Sequence, residues 1–236
     1  MRFARPAGTL ALSLLVLLPG NATAQLRESG VARQTELTDP RDAAWFYRPE
    51  RVEQERTEKL LDQLGIARGD VVADIGAGPG FFSLRAADRV GPDGRVLGVD
   101  VQPEMVAGLT RMAEQFEKSN IVPILGAVDD PKLPAGGIDH VLLVLAYHEF
   151  SHPAAMMRRI REAMRADGQL LVVEYRSEDP ESRVDSLHEM SEAEILRDMR
   201  RFGFSRERVI DLVPSQHVFV FRKTEAPETS GNNARR

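Results

Sequence analysis

The chain has 236 residues, a formal net charge of −5, 42% apolar and 28% charged residues, and no cysteine. That length suits one sizeable domain, and the composition is that of a globular protein. The acidic balance argues against a nucleic-acid partner held through phosphates, and the lack of thiols excludes disulfides, cysteine-ligated metal and thiol nucleophiles. The basic clusters Arg158, Arg159, Arg161 and Arg200, Arg201 fall at helical spacing and read as solvated faces.

Arg2 and Arg5 precede an apolar run from Thr9 to Leu18, which Pro19-Gly20 breaks ahead of Ala22-Thr23-Ala24. Residues 1–24 are expected to be a signal peptide cleaved after Ala24, giving a periplasmic or secreted protein. The run is shorter than the roughly 20 residues a membrane span needs, so no stable span is expected after cleavage. Residues 25–49 are polar and aperiodic, a flexible lead-in or lid. Near its end, Trp45-Phe46-Tyr47 is either a cover over a ligand or a core anchor. Residues 50–64 read as a helix, with Val52, Leu60, Leu61 and Leu64 on a buried stripe and Gly65 ending it.

From Asp70 short apolar runs alternate with amphipathic stretches. Val71–Ile75 predicts a strand, followed by a glycine-rich turn and a helix from about Phe81 to Arg89. Arg95–Val99 is a second strand. A helix opened by Pro103 repeats Met105, Leu109, Met112 and Phe116 at spacings of four, three and four. Strands at Ile121–Leu125 and Ile138–Leu145, a helix over 153–166 and a strand at Gln169–Tyr175 come next. Ser191 and Glu194 form a capping box ahead of Ile195, Leu196, Met199 and Phe202. Arg208–Val213 and Val218–Arg222 close the domain, and residues 223–236 read as a disordered tail. The order implies a Rossmann-like α/β domain over 50–222, with a mostly parallel sheet and an antiparallel edge strand.

The most informative segment is Val72-Ala73-Asp74-Ile75-Gly76-Ala77-Gly78-Pro79-Gly80. Its glycines permit a sharp turn and close approach of backbone to ligand, and the next helix offers unpaired N–H groups to a carboxylate. Asp74 at the strand end suits an ammonium group. A ligand with both groups is an amino acid, as in the tail of S-adenosylmethionine (SAM). Asp100, about twenty residues beyond Gly80, is placed to accept hydrogen bonds from a ribose diol. Asp129 or Asp130, after the third strand, is the candidate partner for an adenine amine. The aspartate before the first glycine and the spacing to Phe81 favour SAM over a nicotinamide dinucleotide.

Residues 69–105 resemble the cofactor half of class I SAM-dependent methyltransferases, and VGPDGRVLGVDVQPEM is especially similar to the ubiquinone/menaquinone C-methyltransferase type. The resemblance implies that Gly76, Gly78 and Gly80 line the methionine moiety, Asp100 holds the ribose, and Asp129 or Asp130 the adenine. Here Ala127-Val128 follows Gly126, where many relatives carry an acid early in the loop. In such a fold the end of the fourth strand faces the methyl group, which makes Tyr147, His148 and Glu149 the candidate catalytic residues, His148 first as a base. Glu174, Tyr175, His188, Gln216 and His217 are candidates for the acceptor side. His148-Glu149-x-x-His152 also matches a zinc-protease pattern. That chemistry needs both histidines on one helix, which Pro153 would disrupt, so no metal is expected. The expected activity is methyl transfer to a small-molecule acceptor; the rival is a non-catalytic SAM- or nucleoside-binding protein of the same fold.

Overall fold

The computed structural model describes residues 37–41, 47–48, 50–180, 184 and 186–224. The expected signal peptide, most of the lead-in including Trp45 and Phe46, and the tail beyond Thr224 lie outside the described residues. Among those described, no helix is long and apolar enough to cross a membrane.

The apolar runs at Val71–Ile75 (β1), Arg95–Asp100 (β2), Ile121–Leu125 (β3) and Ile138–Val144 (β4) form parallel strands, joined by Met164–Arg176 (β5). Along β4 the pleat sends Val141 and Leu143 into one core and Leu142 and Val144 into the other, so both faces of the sheet are covered. Helices Arg51–Gln54 (α1), Thr57–Asp62 (α2), Phe81–Val90 (α3) and Pro103–Gln115 (α4) belong to one side. Pro153–Ala163 (α5) and Glu192–Arg201 (α6) belong to the other. The short β6 (Glu189–Met190) adds to β5 in parallel. Phe204–Val209 (β7) and Gln216–Lys223 (β8) are antiparallel, giving the order β3-β2-β1-β4-β5-β8-β7. The mostly parallel sheet with antiparallel strands towards one edge is the architecture expected from the sequence.

Several boundaries differ, each for a local reason. The helix expected over 50–64 is two short ones, because Arg56 between them takes a left-handed conformation at φ 48°. The break separates the buried Arg51–Glu55 ion pair from the apolar pair Leu60 and Leu61. On α4 the buried stripe runs Met105, Leu109, Ala113, while Phe116 lies past the helix end and is 50% exposed. The helix over 153–166 stops at Ala163, because Met164 is extended and pairs with Ile138. Pairing with β4 here overrides the helix propensity of Met-Arg-Ala. β7 begins at Phe204 rather than Arg208; its charged residues mark a solvated edge strand. Lys223, expected in the tail, ends β8, and its Nζ donates to the carbonyl of Met164 at 2.6 Å. The capping box of Ser191 and Glu194 forms as expected.

Candidate active site

At the carboxyl ends of β1, β2 and β4 lies a cavity of about 400 Å³. Open α/β sheets bind ligands at this position. β1 delivers Asp74 and the turn Gly76-Ala77-Gly78 to the wall, β2 delivers Asp100 and Gln102, and the turn after β4 delivers Glu149. The turn is pinned to β2: Gly76 and Ala77 donate their N–H groups to the carbonyl of Val99 at 2.9 and 3.0 Å.

The glycines of the motif serve different ends. Gly78, at φ 54°, faces open space, since a Cβ there would meet nothing within 4 Å. Gly80, at φ 101°, is outside the lining; a Cβ on it would stand 2.4 Å from Leu109 Cδ1. It is the N-cap residue of α3 and lets α3 and α4 pack. Gly80 thus shapes the turn through its packing against α4.

Asp74 is buried, and its Oδ2 accepts from the Ser83 hydroxyl at 2.6 Å. Burial pushes its pKa up to about 6; the Ser83 hydrogen bond and the Arg51 guanidinium oppose that rise, and Asp100 adds to it. Asp100 accepts the N–H of Gly78 through Oδ2 and that of Gln102 through Oδ1, each at 2.9 Å. Burial raises its pKa against these hydrogen bonds. Neither Asp129 nor Asp130 reaches the cavity. Asp129 is exposed, Asp130 Oδ1 accepts the N–H of Lys132, and Val128 is the residue of that loop on the wall.

The three catalytic candidates share a 3₁₀ turn, Tyr147–Glu149, rather than a strand end, and they diverge. Tyr147 is wholly buried, with its hydroxyl donating to Asp198 Oδ2 at 2.8 Å, so it faces core and not cavity. His148 is buried behind the wall; its Nδ1 lies 2.6 Å from Glu174 Oε2. Glu149 lines the cavity, and its Oε1 accepts from the N–H and hydroxyl of Thr38 at 3.2 and 2.8 Å. Burial raises the Glu149 pKa, opposed by His148, Thr38 and His188.

Of the acceptor-side candidates, Glu174 is fully buried and also accepts the Tyr147 N–H at 2.8 Å, while His188 joins the His148 ring at 3.0 Å. Tyr175 is half-buried beside Glu55, Arg48 and Arg51, off the cavity wall. Gln216 is buried, and His217 bonds Glu178 at 2.8 Å and stacks on Phe219, so both serve the sheet. His152 is an exposed helix N-cap whose ring contacts Ser151 Oγ, so it shares no helix with His148.

Among the wall residues that sequence reasoning missed are Thr38, Arg51 and Gln102. Arg51 sits with its guanidinium 4.1 Å from the Phe81 ring centroid and bonds Glu55 at 2.9 Å. The i,i+4 spacing of Arg51 and Glu55 was the available signal. Gln102 Nε2 donates to the Thr38 carbonyl at 3.0 Å, joining two residues of the cavity wall.

Residues 66–203 match a family described as "Methyltransferase domain". A nocamycin O-methyltransferase of Saccharothrix syringae is 31% identical over 125 residues, 53% of this chain and 42% of that protein. A ubiquinone/menaquinone biosynthesis C-methyltransferase of Pseudomonas putida is 25% identical over 116 residues, 49% of this chain and 45% of its own length. The chain thus spans less than half the length of these curated relatives. A SAM-dependent methyltransferase from Aquifex aeolicus shares the fold with a TM-score of 0.76 at 22% identity, covering 80% of this chain and 100% of that one.

Proposed function

We propose that this chain, which belongs to the methyltransferase domain family, is an exported SAM-dependent methyltransferase acting on a small-molecule acceptor. The observation that carries the reading is one cavity walled by Asp74, the Gly76–Gly78 turn, Asp100 and Glu149.

The residues present fit SAM. Gly78 leaves an open approach to backbone, and Asp74 is a buried carboxylate suited to an ammonium. Asp100 has its plane fixed by two N–H groups, which use part of a carboxylate's capacity of about four acceptor positions. The cavity volume of about 400 Å³ is ordinary for a small-molecule site. When bound, SAM supplies a methyl group on a sulfonium sulfur, which leaves as a thioether with the bonding electron pair. The chain's task is to align the acceptor's lone pair, exclude water and take up the acceptor's proton. Leu37, Phe81, Phe82, Phe150 and Met156 supply a dry wall, and Glu149 is the proton acceptor. His148, bonded to Glu174 behind it, positions the turn that carries Glu149.

Calorimetry on the purified chain tests the reading, with one SAM per chain expected. Asp100→Ala should weaken binding about 10- to 150-fold, the worth of ~1.5–3 kcal/mol for charge-assisted hydrogen bonds. No binding by the wild type would sink the proposal. The affinity should also depend on acid. Asp74 titrates near 6, and an ammonium favours its ionised form. Binding is therefore fully present above that pH and weakens as pH falls through it, by up to about tenfold per unit. Asp74→Asn should bind weakly and flatten the dependence between pH 5 and 7.5; an unchanged slope would move the titrating group elsewhere.

Export is supported by the charged start, apolar run and small-x-small pattern of residues 1–24, and by a chain without thiols. A small-molecule acceptor is supported by the net charge of −5. Cell fractionation, with the N-terminal residue of the mature chain read by mass spectrometry, checks the first.

A further inference from the structure

Behind the cavity wall three separate segments bring imidazole and carboxylate groups together. The turn after β4 supplies His148 and Glu149, the end of β5 supplies Glu174, and the 3₁₀ turn Ser186–His188 supplies His188. The parallel pairing of Tyr175 with Glu189 draws that last turn alongside β5. His148 Nε2 lies 3.0 Å from His188 Nδ1 and 3.9 Å from Glu149 Oε1, and one ligand atom from each of the three residues falls within 4.8 Å of the others.

The geometry points to a binding site for a divalent transition-metal ion of the zinc type, held by His148 Nε2, His188 Nδ1 and a Glu149 carboxylate oxygen. Bonds of about 2.0–2.2 Å from a tetrahedral centre put ligand atoms roughly 3.3 Å apart, between the spacings observed. The supporting group is present as well. Glu174 accepts the Nδ1–H of His148 at 2.6 Å, which sets the tautomer with its lone pair on Nε2, facing His188. Charge points the same way: Glu149 and Glu174 bring two carboxylates to two imidazoles, and a divalent cation neutralises the set. Two imidazoles and one carboxylate select zinc, iron(II), cobalt or nickel over calcium or magnesium.

This is a different constellation from the linear His-Glu-x-x-His pattern, since His188 takes the place that the sequence offered to His152. The expectation of no metal failed to weigh it because His188 is forty residues away from His148 in the chain. Glu149 also lines the cavity, so the ion would adjoin the acceptor and could help an acceptor hydroxyl shed its proton. That use rests on the methyltransferase reading; ion binding itself does not.

The test uses the untagged full chain, stripped with chelator, dialysed against Zn²⁺ and assayed for bound metal, with Co²⁺ as the visible-absorption probe. One equivalent of Zn²⁺ and a tetrahedral Co²⁺ spectrum are expected. His188→Ala should lower affinity more than 100-fold, Glu174→Gln about 10- to 100-fold, and His152→Ala less than twofold. Circular dichroism and SAM calorimetry on each variant separate metal loss from unfolding. Zinc binding by wild type no tighter than by folded His188→Ala overturns the inference and leaves only a ring–ring hydrogen bond. SAM binding without zinc binding defeats this inference alone; zinc without SAM defeats the functional reading alone.

Discussion

Replacing Glu149 by Gln is expected to lower methyl transfer about 10²- to 10⁴-fold, the range of a lost general base, with the SAM dissociation constant changed less than twofold. Glu149 is the carboxylate on the wall at the end of β4, whereas Asp74 and Asp100 stand at the ends of β1 and β2. Burial raises its pKa, so it is a stronger proton acceptor than an exposed glutamate. Gln retains a carbonyl for the Thr38 hydrogen bonds, so Thr38 stays tied and the loss falls on turnover. Single-turnover kinetics with saturating SAM would measure it. A full-rate Gln variant would remove Glu149 from the chemistry. SAM binding without turnover by the wild type, over a broad acceptor panel, would favour the non-catalytic rival. Zinc content of the same variant separates loss of a base from loss of a metal ligand.

Gly80→Ala should cost about 2–5 kcal/mol of folding stability, combining a left-handed backbone at roughly 1–2 kcal/mol with overpacking at roughly 1–3. The added methyl would meet Leu109 Cδ1 at 2.4 Å, and Leu109 cannot retreat easily. It is wholly buried, and its other methyl carbon already occupies the space above Gly98. Gly78→Ala is the contrast. Its φ of 54° is an ordinary left-handed value and its surroundings are open, so about 1 kcal/mol is expected together with a clear loss of SAM affinity. Urea unfolding and calorimetry on both variants check the pair. Equal stability losses would show that the two glycines do not divide packing from binding.

The part of the cavity wall made by Asp74, the glycine turn and Asp100 was legible because its signals are local. Asp74, the glycine turn and Asp100 each sit at the end of a short apolar run, and the run itself fixes the strand. The parallel sheet followed from the alternation of such runs with amphipathic, helix-sized stretches. What the sequence hid is what depends on distant partners. Nothing near Tyr147 announces that Asp198 will take its hydroxyl, and nothing near His148 names Glu174 or His188. Adjacent residues on a 3₁₀ turn point in different directions, so a contiguous Tyr-His-Glu cluster became a core residue, a buried support and a wall residue. Arg51 carries only its i,i+4 spacing to Glu55 as a local sign, and its contact with the Phe81 ring depends on a distant residue. Gly80 was assigned with its neighbours because the motif is continuous, although its constraint comes from α4.

The placement of β8 has a consequence for how the chain reaches its final form. Its residues, 216–223, are the last strand described, yet they lie between β5 and β7 and hydrogen-bond along Gln169–Tyr175. Until that stretch has emerged and docked, β5 presents Leu170, Leu171, Val172 and Val173 on an unpaired edge, the kind that recruits other chains. Sheet closure is thus a late event dominated by contacts between distant residues, which slows folding. A chain shortened before Gln216 should aggregate rather than fold as a smaller domain. The docking of β8 thus sets the moment at which the sheet is sealed.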